Sequence, residues 1–190
     1  MINRKATFDN IRKEFGKLSN GQVLGFEAFF NEFESRKLND KRLLSYILAT
    51  VWHEVNKTMQ PIEEIGKGKG KKYGQRVWYN GKPYTDIKHT YYGRGHTQNT
   101  WRDIYEKLTK ANTKKWDFVN NPDLLLKMEQ SIWATFHAML TGLYTGRKLS
   151  NYFGQVVNDP IGARKIINGT DKAQLIAEYH YKFLKSIVFI

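Results

Sequence analysis

The amino-acid sequence predicts a mostly α-helical protein with one small β-hairpin. Apolar residues recur at intervals of three and four positions along most of the chain, which is the spacing of an amphipathic helix. Residues that commonly begin helices precede several of these stretches. One strong two-residue hairpin signal is present, Asn80-Gly81. No internal repeat or low-complexity linker divides the 190 residues, so we expect a single domain over residues 1–190.

Three helices are predicted in the first part of the chain. The first covers residues 9–18 and carries a stripe of Phe8, Ile11, Phe15 and Leu18. The second covers residues 21–36, with a largely aromatic stripe that is typical of core packing: Val23, Phe26, Phe29, Phe30 and Phe33. Asn39 or Asp40 is expected to cap the third, residues 41–56, whose stripe is Leu44, Ile47, Leu48, Val51 and Val55.

The predicted hairpin follows a segment rich in glycine and lysine, KGKGKKYGQ at residues 67–75. That segment lacks the Gly-Lys-Ser/Thr ending of a phosphate-binding loop, so we interpret it as a mobile, solvated loop. Strands of residues 77–79 and 82–85 are expected to flank the Asn80-Gly81 turn. We expect no other notable β structure.

The remaining chain predicts one tight segment and a series of helices. In residues 91–95, Gly93 and Gly95 allow a positive φ or a close approach of the backbone. Pro122 suits the first turn of a long helix. The helices are predicted over residues 97–110, 122–143, 149–153, 161–167 and 172–186.

Composition excludes some classes of chemistry. The chain has no cysteine, which excludes disulfides, cysteine-ligated zinc and a cysteine nucleophile. Its 31 Lys and Arg against 18 Asp and Glu give a net charge of +13. Such a charge indicates an anionic partner, for which nucleic acid, a bacterial wall and a lipid surface are candidates, or it serves solubility alone.

The first residues, MINRKATFDN, contain neither the apolar core nor the cleavage site of a signal peptide, and no apolar run is long enough to cross a bilayer. We therefore expect the chain to be cytoplasmic until another agent releases it to the periplasm or the cell wall. The last helix and the tail 187–190 are candidates for transient contact with an anionic membrane, although core packing is the favoured interpretation. We expect a monomer.

Carboxylates carry the clearest chemical signal. Glu54 lies beside the apolar stripe at the last turn of the third helix, where burial and the negative helix end favour the protonated form that a general acid requires. Pairing with a nearby Lys or Arg is an equally good interpretation. Glu63 and Glu64 follow across a Pro turn. Two carboxyls about 6.5–9.5 Å apart leave room for a water and give inversion in glycoside hydrolysis.

The sequence motifs of two other kinds of catalytic site are incomplete or absent. His53-Glu54 begins like the helix of a zinc protease, but the second histidine of that motif would fall at Lys57. No G-x-S-x-G sequence is present to supply a serine nucleophile. A metal site is therefore not expected.

Three motifs are informative in combination: WHEVNKTMQPIEE at residues 52–64, YYGRGHTQNTW at 91–101 and ARKIINGTDKA at 163–173. Together they resemble glycoside hydrolase family 19, and more narrowly its phage and bacterial endolysin branch, which is related to plant-type chitinases. The resemblance spans residues 43–183. It implies a lysozyme-like, two-lobed helical fold with a small hairpin near the cleft. It also implies inverting cleavage of β-1,4 bonds between amino sugars, without a cofactor.

The resemblance also implies roles for individual residues. Glu54 matches the general acid, and Glu64 matches the general base or water-orienting group, with Glu63 as the fallback. Thr58 is expected to help place the water. The remaining matches are residues that line the substrate cleft or its far wall: Tyr92, Arg94, Gln98, Trp101, Arg164 and Asn168. Asn99 and Ile104 depart from the family, which favours Leu and Asn there.

Peptidoglycan is the expected partner, because the positive charge favours an anionic wall over neutral chitin. Two alternatives remain open on the same fold: a chitinase acting on chitin oligomers, and a peptidoglycan-binding protein without turnover. A nucleic-acid binder ranks last, since no recognisable nucleic-acid motif accompanies the charge, and no specific nucleic-acid partner is expected.

Overall fold

The computed structural model describes residues 1–190 and is mostly helical, which confirms the prediction of a mostly α-helical protein. The six α-helices are α1 Arg4–Phe15, α2 Asn20–Ser35, α3 Lys41–Glu54, α4 Arg102–Ala111, α5 Met128–Thr141 and α6 Ala173–Ser186. Short 3-10 helices cover Lys72–Gly74, Pro122–Leu126, Leu149–Asn151 and Gly162–Ile166. The chain forms two compact units. The first unit comprises Met1–Met59 and Phe136–Ile190, and the second unit is Gln60–Thr135.

The core of the first unit is built from the aromatic stripes that the sequence contains. Phe15 of α1 stacks on Phe183 of α6 with 4.5 Å between ring centroids. Phe26 of α2 stacks on Trp52 of α3 at 5.9 Å. Because rings of this size each bury a large apolar area, their burial supplies much of the free energy that holds these four helices together.

Helix caps explain where these helices begin and end. The Asn3 side chain accepts a hydrogen bond from the Ala6 N–H, so α1 begins at residue 4 rather than at the predicted residue 9. It ends at Phe15 because Gly16, with φ of 86° and ψ of −165°, takes an extended conformation that glycine readily adopts. Ser19 forms a capping box with Gln22 at the start of α2. Asp40 caps α3, as one of the two predicted alternatives.

The second unit contains the two-stranded sheet, but at a different place from the prediction. Strands β1, Ile62–Glu63, and β2, Arg94–Gly95, pair antiparallel, with Ile62 opposite Gly95 and Glu63 opposite Arg94. At the predicted hairpin, the chain does turn at Asn80-Gly81, yet only an isolated bridge forms, between Val77 and Pro83. Pro83 lacks a backbone N–H, which prevents a continuous ladder there.

Two predicted helices are shorter than expected. Helix α4 begins at Arg102 instead of residue 97, because Gln98 and Trp101 have positive φ angles of 49° and 68° and form a tight turn. The long helix predicted over residues 122–143 is interrupted. Lys127 is extended, with ψ of 138°, and separates the 3-10 helix Pro122–Leu126 from α5. The Gly/Lys-rich loop also differs from the prediction, since it folds into successive hydrogen-bonded turns.

The C-terminal tail pairs with the N-terminal residues. Ile2 and Phe189 form an antiparallel bridge, and the Asn3 N–H donates to Val188 O at 2.8 Å. Ile187 is buried, as are Ile176 and Phe183 of α6. None of the helices is both long enough and apolar enough to cross a bilayer.

His180 of α6 is fully buried in the first unit, against the rings of Tyr46 and Phe153. Neither of its ring nitrogens has a hydrogen-bond partner. Burial, reinforced by the charge of Arg42 and opposed by that of Asp40, lowers the pKa of His180 to about 4. The ring is therefore neutral in the folded protein at neutral pH.

The free energy of unfolding is expected to fall as pH falls from 6.5, the ordinary pKa of histidine, to about 4. In this window the unfolded chain takes up a proton at position 180 and the folded chain does not, so acid favours unfolding. The loss reaches up to about 3 kcal/mol. Denaturant titrations at pH 7, 5.5 and 4 measure it, and His180→Leu should reduce it strongly.

Burial also lowers the pKa of His53 and of His137, so the free energy of unfolding of His180→Leu should still depend on pH, but less strongly. His89 is exposed, and His89→Gln is the matched control that should retain the full dependence. Equal acid losses in the parent and in His180→Leu would contradict the assignment to His180.

Candidate functional site

The first unit places Glu54 at the C-terminal end of α3, against Arg164. Arg164 Nη1 donates to Glu54 Oε1 at 2.6 Å, and Arg164 Nε donates to Asp171 O at 2.9 Å. The Arg164 side chain is 4% exposed and that of Glu54 is 16% exposed. The pair is thus largely removed from water, and the guanidinium stabilises the negative charge of the carboxylate. Arg164 is the only protein group that donates a hydrogen bond to the Glu54 carboxylate.

Thr58 and Asn168, also expected at the site, are both exposed residues of the first unit. The Thr58 hydroxyl donates to Val55 O at 2.8 Å, in the turn that follows α3. The Asn168 N–H donates to Arg164 O at 3.0 Å. The Asn168 backbone therefore helps to hold the segment that carries Arg164, whereas Thr58 is fixed by the end of α3.

In the second unit, both carboxylate oxygens of Glu64 are held in place. Oε1 accepts a hydrogen bond from the Tyr73 hydroxyl at 2.8 Å, and Oε2 accepts one from the Gly93 N–H at 3.0 Å. The Glu64 N–H in turn donates to Gly93 O at 2.7 Å. Burial, together with the bond to Glu64, raises the pKa of Tyr73 to about 12, so the phenol remains a donor at neutral pH.

Glu63 has different partners from its neighbour. Its carboxylate accepts a hydrogen bond from the Tyr92 hydroxyl at 3.1 Å and lies 3.4 Å from Lys67 Nζ. Its side chain is 42% exposed. Successive side chains of an extended chain point in opposite directions, which is why the two adjacent glutamates have no partner in common.

Gly93 allows two polar side chains to approach the backbone at one point. A Cβ at position 93 would lie 2.8 Å from Gln98 Oε1 and 3.3 Å from Glu64 Oε2. Gln98 Nε2 donates to Ile62 O at 3.1 Å and to Gly95 O at 3.0 Å, which fixes the orientation of the amide. The carboxylate of Glu64 and the amide oxygen of Gln98 therefore border the same small space.

Arg94 is buried, with its side chain 5% exposed. Nε donates to Asp123 Oδ1 at 2.8 Å, and Nη1 donates to Thr90 O at 3.1 Å. The guanidinium lies 3.6 Å from the centroid of the Tyr92 ring. These contacts point to a positioning role for Arg94 rather than to direct contact with a ligand.

Trp101 is half-buried and belongs to an aromatic cluster. The rings of Tyr73 and Tyr79 meet it edge-on, with centroid distances of 5.7 and 5.3 Å. Tyr79 is largely exposed. The cluster gives the second unit a partly exposed aromatic surface that includes the hydrogen-bond donor to Glu64.

Tyr73 is the site residue that the sequence motifs did not identify. The only signal for it was its type, since it is the single aromatic residue in the lysine-rich segment KGKGKKYGQ. Asp123, the partner of Arg94, likewise lies outside the three motifs. No group of three or more His, Asp or Glu side chains is arranged to hold a metal ion.

No protein-family model matches the chain, and no curated protein matches it either. The resemblance to glycoside hydrolase family 19 thus rests on the three motifs and remains a prediction.

Gly95→Ala is expected to destabilise the folded protein by about 2–4 kcal/mol, from backbone strain and steric overlap together. Gly95 has a φ of 84°, and an added Cβ would lie 2.7 Å from Ser131 Oγ and 3.0 Å from Leu125 O. Gly81→Ala is the matched control, because Gly81 has a φ of 80° and nothing within 4 Å of an added Cβ. That variant should lose only about 1–2 kcal/mol. Denaturant unfolding measures both, and equal losses would argue against close packing at Gly95.

Proposed function

We propose that the protein is an endolysin-type glycoside hydrolase of lysozyme-like fold that cleaves β-1,4 bonds in peptidoglycan glycan strands with inversion. Glu54 acts as the general acid and Glu64 as the general base. The observation that carries this proposal is the state of Glu64, a carboxylate whose two oxygens are fixed by separate donors next to the amide oxygen of Gln98. A solvated surface glutamate would not be held in this way.

A fixed carboxylate suits the work of a general base. Each Glu64 oxygen uses one lone pair for its donor and retains a second, with which it can accept a hydrogen bond from a water molecule. Because Tyr73 and the Gly93 N–H hold the oxygens, the direction of that bond is set before the substrate arrives. The Gln98 amide oxygen offers another acceptor nearby, either for the same water or for a sugar hydroxyl.

The two carboxylate oxygens of Glu54 have different surroundings, which supports its role as the acid. Oε1 accepts the hydrogen bond from Arg164, so Oε2, to which no protein group donates, is the atom that would carry the proton. Once the proton has passed to the glycosidic oxygen, a carboxylate remains in a largely buried position. Arg164, held by the Asp171 carbonyl, stabilises that charge without having to reorient.

The net charge of +13 favours peptidoglycan over chitin, because peptidoglycan carries anionic groups and chitin is neutral. The two alternatives predict distinct results. A chitinase would release reducing ends from chitin oligomers at least as fast as from peptidoglycan. A wall-binding protein would sediment with peptidoglycan and release none.

Glu54→Gln is expected to lower the release of reducing ends from purified peptidoglycan by at least about 100-fold, since the amide cannot deliver the proton. The neutral amide can still accept the hydrogen bond from Arg164, so the variant should stay folded, as circular dichroism would verify. Glu129→Gln, at an exposed position, is the control and should keep parental activity. Parental activity in Glu54→Gln would remove Glu54 from the acid role.

Mass analysis of the products identifies the bond cut, and NMR of early products gives the anomeric outcome.

Glu64→Gln is expected to cause a smaller loss, about 10–100-fold, because water is then oriented without a base. Glu63→Gln, one residue away and more exposed, should lose less than threefold. A larger loss in Glu63→Gln than in Glu64→Gln would transfer the base role to Glu63.

Tyr73→Phe removes one of the two donors to Glu64 and should lower kcat by about tenfold with little change in KM.

A further inference from the structure

The segment Gly66–Arg76, here called the lysine ribbon, is a folded and uncompensated cationic surface. It contains five basic residues and no acidic one: Lys67, Lys69, Lys71, Lys72 and Arg76. Its backbone forms consecutive turns, in which the N–H groups of Lys67, Lys69 and Lys71 donate to the carbonyl three residues earlier, at 2.9–3.0 Å. Gly66, Gly68 and Gly70 supply the positive φ angles that these turns need.

The lysine ribbon is anchored at two points. At the first, Gly68 and Gly74 pack so closely that a Cβ on Gly74 would overlap the Gly68 carbonyl, and a Cβ on Gly68 would lie 3.1 Å from Tyr92 Cβ. At the second, Tyr73 donates its hydroxyl to Glu64 at 2.8 Å. Because Lys71 and Lys72 directly precede Tyr73, their backbone is held beside the candidate general base.

The charges of the ribbon differ from those of α4 in the same unit. Lys69, Lys71 and Lys72 are exposed and have no ion-pair partner, and Lys67 has only the 3.4 Å contact with Glu63. By contrast, Lys107 and Lys110 of α4 each pair with an acidic residue one turn earlier. The ribbon thus presents several positive charges that the protein itself does not neutralise. At physiological salt these act over about 8–10 Å, so a ligand near Tyr73 lies within their range.

We propose that the lysine ribbon binds the carboxylates of the peptide stems on a glycan strand and thereby selects stem-bearing peptidoglycan over neutral amino-sugar polymers. This inference rests on the proposed function, since it assigns the anionic part of the same substrate. Stem carboxylates are spread along a flexible strand. Lysines suit such a target, because each is a compact charge on a flexible stem that needs no fixed two-point geometry. A chitin chain has no group for these lysines to bind.

The test compares binding on a Glu54→Gln background, so that cleavage does not interfere. The ribbon variant carries Lys69→Gln, Lys71→Gln and Lys72→Gln. The matched control carries Lys13→Gln, Lys17→Gln and Lys165→Gln, which removes the same charge from exposed positions of the first unit. Titration calorimetry measures each protein against soluble stem-bearing glycan strands, the same strands with their stem carboxylates converted to amides (amidated strands), and chitin oligomers of equal length.

The ribbon variant should bind stem-bearing strands about tenfold more weakly than the background protein, with a reduced dependence on salt. Its affinity for amidated strands and for chitin oligomers should change less than twofold, and the affinity of the control variant should change less than twofold for every ligand. Near-UV circular dichroism should show the same fold in all proteins.

The proposal is overturned if the ribbon variant loses affinity equally for stem-bearing and amidated strands, if the control loses as much, or if the background protein does not bind stem-bearing strands. Loss of retention on duplex DNA, with strand binding unchanged, would also overturn it and favour a nucleic-acid surface. The release of reducing ends is measured separately, on proteins that retain Glu54. Stem-selective binding without released reducing ends would refute the proposed hydrolysis and leave the ribbon assignment standing.

Discussion

The second unit depends on the burial of one cation. The Arg94 guanidinium is removed from water, and a buried charge is stable only when the surrounding protein supplies its hydrogen-bond partners. Its partners come from separate segments: the Thr90 carbonyl, the Tyr105 hydroxyl of α4 and the Asp123 carboxylate. The backbone of the same residue exchanges two hydrogen bonds with Asn99. One buried charge therefore ties together the strand, the turn before α4, α4 itself and the 3-10 helix Pro122–Leu126.

That arrangement also determines the geometry around Glu64. Strand β2 holds β1 by antiparallel pairing, and the Gly93 carbonyl and N–H bind the Glu64 N–H and carboxylate. Asn99 closes the turn that contains Gln98, which has a positive φ. In this position the Gln98 side-chain amide donates hydrogen bonds to two backbone carbonyls. The Asn99 side-chain amide donates to the Arg94 carbonyl inside this turn and so helps to close it. The side chains that border Gly93 are consequently held in large part by backbone groups, with the Tyr73 hydroxyl as a further donor to Glu64.

The first unit contains polar groups that a purely structural core would avoid. Tyr46, Thr50 and Glu54 follow one another at four-residue intervals along α3 and so share one face of the helix. The hydroxyls of Tyr46 and Thr50 are buried without a hydrogen-bond partner, as is the His180 ring. Each such group costs free energy. The well-paired Arg164 and the surrounding aromatic packing offset that cost, and local departures of this kind are typical of functional sites.

The sequence by itself determined the mostly helical class, the apolar stripes of the core, a cap for α3 at Asn39 or Asp40, and the candidate residues Glu54, Glu64 and Gln98, because periodicity, capping and short motifs are local properties of the chain. Only the tertiary structure decided where the two strands pair, why α4 begins at Arg102, and that Tyr73 holds Glu64. It also showed Arg164 against Glu54 across 110 positions of sequence and Arg94 enclosed by its own partners. These features arise from contacts between distant segments and from the need to satisfy buried polar groups, and no local pattern of residues encodes either of them.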